Sequence, residues 1–191
     1  MFDLDATIKT RRAVRGFLSD KFVPDEILRE VLELAQHAPS NCNAQPWRVY
    51  VVGGGKCQEL KAVLTAEIDG GNFGNPENPI DTFSDEYRVR QIECAVALYS
   101  VVGVERDDKP GRLAVLRRNY EFFNAPHALI ICMDKSFGIG VVLDVGIYLQ
   151  TLMLAFEARG ISSCAQACLR SHPNLIRETL GIPENLRILC G

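Results

Sequence analysis

Apolar positions along the chain change period several times, and each change marks an element. Asp3 to Thr10 forms a short helix candidate, with Gly16 and Ser19-Asp20 marking irregular backbone beyond it. Pro24 suits the first turn of a second helix, in which Ile27, Leu28, Val31, Leu32 and Leu34-Ala35 recur at helical spacing and which ends before Pro39. Arg48 to Val52 reads as a strand, Gly53-Gly54-Gly55 as a turn and Lys56 to Ile68 as a helix. Asp69 to Thr82, rich in Gly, Asn and Pro, reads as a loop that could cover a ligand. Helical stretches follow at Glu86 to Val102 and Pro110 to Phe123, then an apolar strand at His127 to Met133.

After a turn at Gly138 to Gly140 comes the most apolar helix, Val141 to Arg159, whose faces are expected to be nearly all buried. Such a helix belongs in a core or at a subunit interface. Gly146 and Ala155 would admit another helix closely, so a homodimer is predicted. Pro173 to Leu180 is a short helix stopped by Gly181, and Leu186 to Cys190 a last strand. Helices on both sides of a few strands, without regular β-α-β alternation, predict an α+β fold.

Composition narrows the function classes. At 191 residues and 47% hydrophobic content the chain fits one domain spanning 1–191. A formal net charge of −3 argues against a general nucleic-acid binder. Seven irregularly spaced cysteines suit reduced thiols and a cytoplasmic setting. No segment is expected to span a membrane. Cys164 and Cys168 lie four apart but lack a second pair or a His at ligand spacing, so buried thiols are expected rather than metal. Neither Gly53-Gly54-Gly55 nor Gly138-Ile139-Gly140 completes a dinucleotide fingerprint, since Gln58 and Leu143 stand at the third glycine position. Hydrolase, zincin and thioredoxin motifs have no starting residue here.

Two islands carry the candidate chemistry. Arg11, Arg12 and Arg15 put three guanidinium groups into five residues, and their planar forks match phosphate oxygens. A solvated charged face is the bland alternative. The second island, Ala38 to Trp47, offers Ser40, Asn43 and Gln45 as neutral donors and acceptors for a heteroaromatic edge. Its bland alternative is a turn closing the preceding helix. Trp47 is assigned to the core.

Taken together, Arg-Arg-x-Val-Arg-x-Phe followed by Pro-Ser-x-x-Asn-x-Gln-Pro-Trp resembles the FMN-dependent nitroreductase family. The likeness continues through Asn119 to Ala128, Asp144 to Ala155 and Gly160 to Ala167, and is greatest to the nitroaromatic and nitrobenzoate reductase branch. It implies a small, mainly antiparallel sheet flanked by helices in an interlocked homodimer, with each FMN site built from both chains. NADH or NADPH would reduce the flavin, and a nitroaromatic or quinone would take the electrons by a ping-pong route. A reductive dehalogenase, an enone reductase or a flavin binder without turnover are the alternatives.

By the same resemblance Arg11, Arg12, Ala13 and Arg15 hold phosphate and ribityl, with Ala13 in place of the usual Ser removing a hydrogen bond worth about 1 kcal/mol. Pro39, Ser40, Asn43 and Gln45 would serve the partner's flavin. Ala165, Gln166 and Ala167 would approach the ring mainly through backbone, with Ala165 where many relatives have Pro. Arg118 and Asn119 fall near another flavin contact. No protein side chain is expected to act as a catalytic group, because the cofactor carries the redox step. Phe122 and Phe123, with the loop around Phe73 and Phe83, could line an apolar slot or simply pack. The family continues past the last strand, so the resemblance also implies a missing C-terminal segment beyond Gly191.

Overall fold

The computed structural model describes residues 3–77 and 82–191. Its α1 (Leu4–Thr10) is capped by Asp3, whose Oδ1 accepts from the Ala6 N–H at 3.1 Å, satisfying one of the helix's orphan donors. At Arg11 the backbone leaves helical geometry (φ −56°, ψ 125°), so the arginine run is extended chain. Pro24 caps α2 (Asp25–Ala35), and Asp25 and Glu26 complement the positive end of its dipole.

Three strands form one antiparallel sheet in the order β1 (Trp47–Val52), β2 (Ala128–Asp134), β3 (Leu186–Cys190). Trp47 pairs with Met133 and Val52 with Ala128, while a bulge between Ile131 and Cys132 shifts the register against β3. The period of two along β2 sends Ile130 and Cys132 to one face and Ile131 and Met133 to the other. Because both faces are covered, β2 is apolar from Ala128 to Met133. On the first face pack α3 (Gly54–Asp69), the end of α5 (Lys109–Tyr120) and α7 (Pro173–Leu180). On the second lie α2 and α6 (Ile139–Glu157). The α+β layering expected from the sequence is what the chain adopts.

Four expectations need correction. Gly54 and Gly55 open α3 instead of making a turn, with Gly53 as its cap. Phe123 lies beyond α5, in a turn at φ 51°. The 19-residue α6 starts at Ile139 and is, by length and composition, apolar enough to cross a membrane. It packs instead against α2 and β1, and its faces are not all buried: Ile139 and Leu143 are exposed, and a Cβ at Gly146 would meet nothing. The long loop assigned to 69–82 falls partly on 78–81, outside the described residues. α4 (Asp85–Val101) is helical as expected, yet none of its residues is buried.

Where the preceding loop is described, it is fastened to α7. Gly74, at φ +82°, lies so close to the Ser171 carbonyl that a Cβ there would overlap it. Glu77 bridges Lys135 Nζ at 2.8 Å and Arg177 Nη2 at 2.6 Å, and Arg177, almost fully buried, also donates to the Leu186 carbonyl. Burial alone would raise the Glu77 carboxyl, but the bonds from Arg177 and Lys135 outweigh it and hold the group below its ordinary range.

Candidate functional site

The extended arginine run is attached to the loop after α6. Ala13 and Ser163 form a parallel bridge, in which the Val14 N–H donates to the Ser163 carbonyl at 3.2 Å. Phe17 N–H donates to the Phe123 carbonyl at 2.9 Å, and Arg118 Nη2 donates to the Arg15 carbonyl at 2.7 Å. Arg118 thus supports the run's backbone, its guanidinium 5.9 Å from the centre of the Phe123 ring. Burial raises the Cys164 thiol and the nearby Arg15 charge partly offsets this. Arg12, Ala13 and Arg15 are exposed and Arg11 is half-buried.

Gln166 ties this corner together. Its Nε2 donates to the Asn119 carbonyl at 2.8 Å, and its backbone N–H and C=O exchange bonds with Gly191 at 2.6 and 3.1 Å. Its main chain is therefore committed, as is the Asn119 amide, which bonds back to the Leu116 carbonyl at 3.1 Å. Ala165 and Ala167 are exposed, and the Ala165 N–H has no partner among the described residues.

An apolar cavity of about 690 Å³ adjoins the corner, walled by Val14, Phe17, Phe123, His127, Met153 and Ala165 among others. That volume is in the range of cofactor and ligand sites. Phe122 and Phe123 line it and are buried, whereas Phe73 and Phe83 are exposed and stand apart from its wall. His127 Nε2 accepts from the Val23 N–H at 3.1 Å, so the imidazole proton lies on Nδ1. Desolvation lowers its pKa, with Asp25 pulling the other way.

The amide-rich island sits elsewhere, on α6 and β1. Asn41 N–H donates to the buried Asp144 carboxylate at 3.0 Å, and Gln45 N–H donates to Ser40 Oγ at 3.0 Å. Cys42, Asn43 and Gln45 adopt φ of 51°, 56° and 46°, and the exposed Gln45 amide donates to Asn43 Oδ1 at 3.2 Å. Pro39 is exposed and Ser40 half-buried. Trp47 is core, stacked on Tyr148 at 4.7 Å with Nε1 donating to Gln36 Oε1 at 2.9 Å. No hydrogen bond among the described residues joins this island to the arginine run.

Sequence reasoning passed over Asp144, although a carboxylate inside the most apolar helix is itself a signal. It included Ser163 in the matching loop without giving it a part, and gave none to Gly191; both act through backbone, which leaves no trace in residue type. No group of three or more His, Cys, Asp or Glu able to hold a metal occurs among the described residues.

The donor set fits a phosphorylated, planar cofactor. Arg11 Nε is buried without a partner among the described residues, a cost that an anion at this point would remove. The partnerless Ala165 N–H and the neutral amides of the island are donors and acceptors of the kind a heteroaromatic edge requires. Fold and donors together define an α+β protein of the flavin-site type.

The chain belongs to the nitroreductase family, whose model matches residues 8–191. It is 34% identical over 189 residues to a 4-nitrobenzoate reductase of Pseudomonas putida, covering 99% of this chain and 83% of that protein. With the nitroreductase NfnB of Mycolicibacterium smegmatis it shares 38% identity over 185 residues, or 96% of this chain and 78% of the relative. Among solved structures, an FMN and NADPH-dependent nitroreductase NfnB from sphigopyxis sp. strain HMH superposes with a TM-score of 0.95 at 32% identity, covering 98% and 85% of the two chains.

Proposed function

We propose that this protein is an FMN-dependent oxidoreductase that takes reducing equivalents from NADPH or NADH and delivers them to a small nitroaromatic. The observation that carries the reading is the partnerless, buried Nε of Arg11 beside the bridge between Ala13 and Ser163. When bound, FMN supplies the hydride and electron transfer. The chain's own residues bind and orient it. Arg11, Arg12 and Arg15 hold the phosphate, and Ala13 leaves room without adding a bond. Ala165 presents a backbone donor to the ring, while Gln166, Arg118 and Asn119 support that corner from behind. Ala167 completes the loop. The apolar cavity wall excludes water beside the ring.

The protein works as a homodimer in which Pro39, Ser40, Asn43 and Gln45 of one protomer face the flavin held by its partner. Support comes from surface that a single protomer leaves uncovered: Ile139 and Leu143 with open space at Gly146 on α6, and Tyr87, Val89, Ile92, Val96 and Val101 on α4. The names of the relatives favour NADPH and nitroaromatic acceptors.

The experiment is an absorbance spectrum after FMN addition and desalting, followed by anaerobic addition of NADPH or NADH and then of 4-nitrobenzoate. Retained flavin that bleaches and is reoxidised by the nitro compound is expected. Flavin that is lost on desalting, or stays oxidised with both nucleotides, would sink the assignment.

A further inference from the structure

The loop bearing Ser40, Asn43 and Gln45 is conformationally improbable on its own. Three of its residues, Cys42, Asn43 and Gln45, sit in the left-handed region; Asn visits it readily, but Cys and Gln do so at a cost that the surroundings must offset. Its side chains are largely exposed, so core packing does not impose it. Bonds within the loop, the Gln45 N–H to Ser40 Oγ among them, shape its turn, and Arg48 Nη1 donates to the Gln45 carbonyl at 3.4 Å; two further attachments lead to α6.

At the far end, Trp47 stacks on Tyr148 at 4.7 Å and 19°, with Gln36 accepting its indole N–H. At the near end the attachment is one bond: Asp144 Oδ2 accepts from the Asn41 N–H at 3.0 Å. Asp144 is one helical turn before Tyr148, so both anchors project from the same side of α6. A buried carboxylate is an expensive acceptor to place in an apolar helix, and its bond to an amide is charge-assisted and directional. The assigned flavin contacts include neither Asp144 nor Asn41, yet this bond fixes where the loop starts.

We propose that Asp144 is a positioning residue: through the Asn41 N–H it holds the Ser40–Gln45 loop in its left-handed conformation, and so sets the aim of Asn43 and Gln45 toward the flavin. The inference rests on the flavin reading above for what the loop faces, but not for how the loop is held. Loss of the bond frees the first turn of the loop while leaving the Trp47 anchor in place. The donors then spread over several conformations, and binding must select the competent one.

The test reads the loop first without cofactor. Hydrogen–deuterium exchange of residues 40–45 in FMN-free protein is compared for wild type, Asp144→Ala and Asp144→Asn, whose amide oxygen still accepts. Exchange about tenfold faster in that segment alone is expected for Asp144→Ala, with near-wild-type exchange in Asp144→Asn. FMN titration should then give a Kd about tenfold weaker for Asp144→Ala and within about threefold of wild type for Asp144→Asn, with an altered visible circular dichroism of bound flavin only in the former.

Unchanged exchange in Asp144→Ala overturns the proposal, and so does faster exchange with unchanged Kd and flavin spectrum. Equal losses in both variants overturn it too, by pointing to packing or charge instead of the bond. Should Asp144→Ala fail to fold, Asn41→Pro deletes the donor at a first-turn position that proline tolerates, and the same readings apply. Wild-type protein that takes up no FMN overturns the flavin reading, and the exchange data still decide whether Asp144 holds the loop.

Discussion

Val14 donates its backbone N–H to the Ser163 carbonyl at 3.2 Å, and this one bond brings the N-terminal arginine run to the loop after α6. The flavin site we assign is therefore a joint between two segments, each short of secondary structure of its own. Side chains on such a joint can be changed without undoing the layers beneath it.

Replacing Arg11 and Arg15 with Ala is expected to weaken FMN binding by about 10- to 100-fold per residue, the range of a charge-assisted bond. Retained absorbance after desalting reads the effect, and far-ultraviolet circular dichroism should be unchanged because neither side chain has a hydrogen-bond partner among the described residues.

Tyr148 presents the reverse case. Its hydroxyl is buried without a partner among the described residues, and burial pushes its pKa up to about 12. Tyr148→Phe keeps the stack on Trp47 and removes only the unpaired group. Stability should stay level or rise by up to about 1 kcal/mol, measured by urea unfolding.

The clasp on α7 should be costly to break. Glu77→Gln leaves the buried Arg177 guanidinium with a neutral partner, and a loss of about 1–3 kcal/mol is expected. Gly74→Ala, at φ +82° and against the Ser171 carbonyl, should cost about the same through backbone displacement. Thermal melts of the two variants check both values.

Acid should destabilise the protein in two stages. His127 and His172 are lowered from 6.5 chiefly by desolvation, partly offset by Asp25 and Glu67 respectively. The unfolded chain takes up those protons first, so this stability is complete above 6.5 and is lost as pH falls from there through the folded values. Glu77, held below its ordinary 4.5, contributes stability above that value that disappears as pH drops through its folded pKa. Denaturant midpoints followed downward in pH should show both losses, and Glu77→Gln should diminish the lower one.

Local chemistry carried the reading of the sequence where one residue decides the backbone. Gly181 at φ 66° ends α7 as read, and Pro173 starts it. The alternation along β2 was legible as an apolar strand, though not which face met which helix. Gly54 and Gly55 were misread because a glycine signals permission for a turn and not the turn itself; neighbouring Cys57, Leu60 and Leu64 had enough burial to draw them into α3. The arginine run and the amide island were both visible by composition. Their attachments were not, since the bridge to Ser163 and the Gly191 bonds are made by backbone, and the Asp144 bond spans most of the chain.

α4 has 17 residues and none of them buried. A helix of that length in water is close to the balance between coil and helix, and tertiary contacts ordinarily decide the matter. Inside one protomer those contacts are few among the described residues, Arg112 lying 4.3 Å over the Tyr99 ring, and the dimer we propose would supply the rest. In that dimer dilution, more than heat, would be the first thing to unwind α4, and its helicity would rise and fall with protein concentration while the sheet stayed intact.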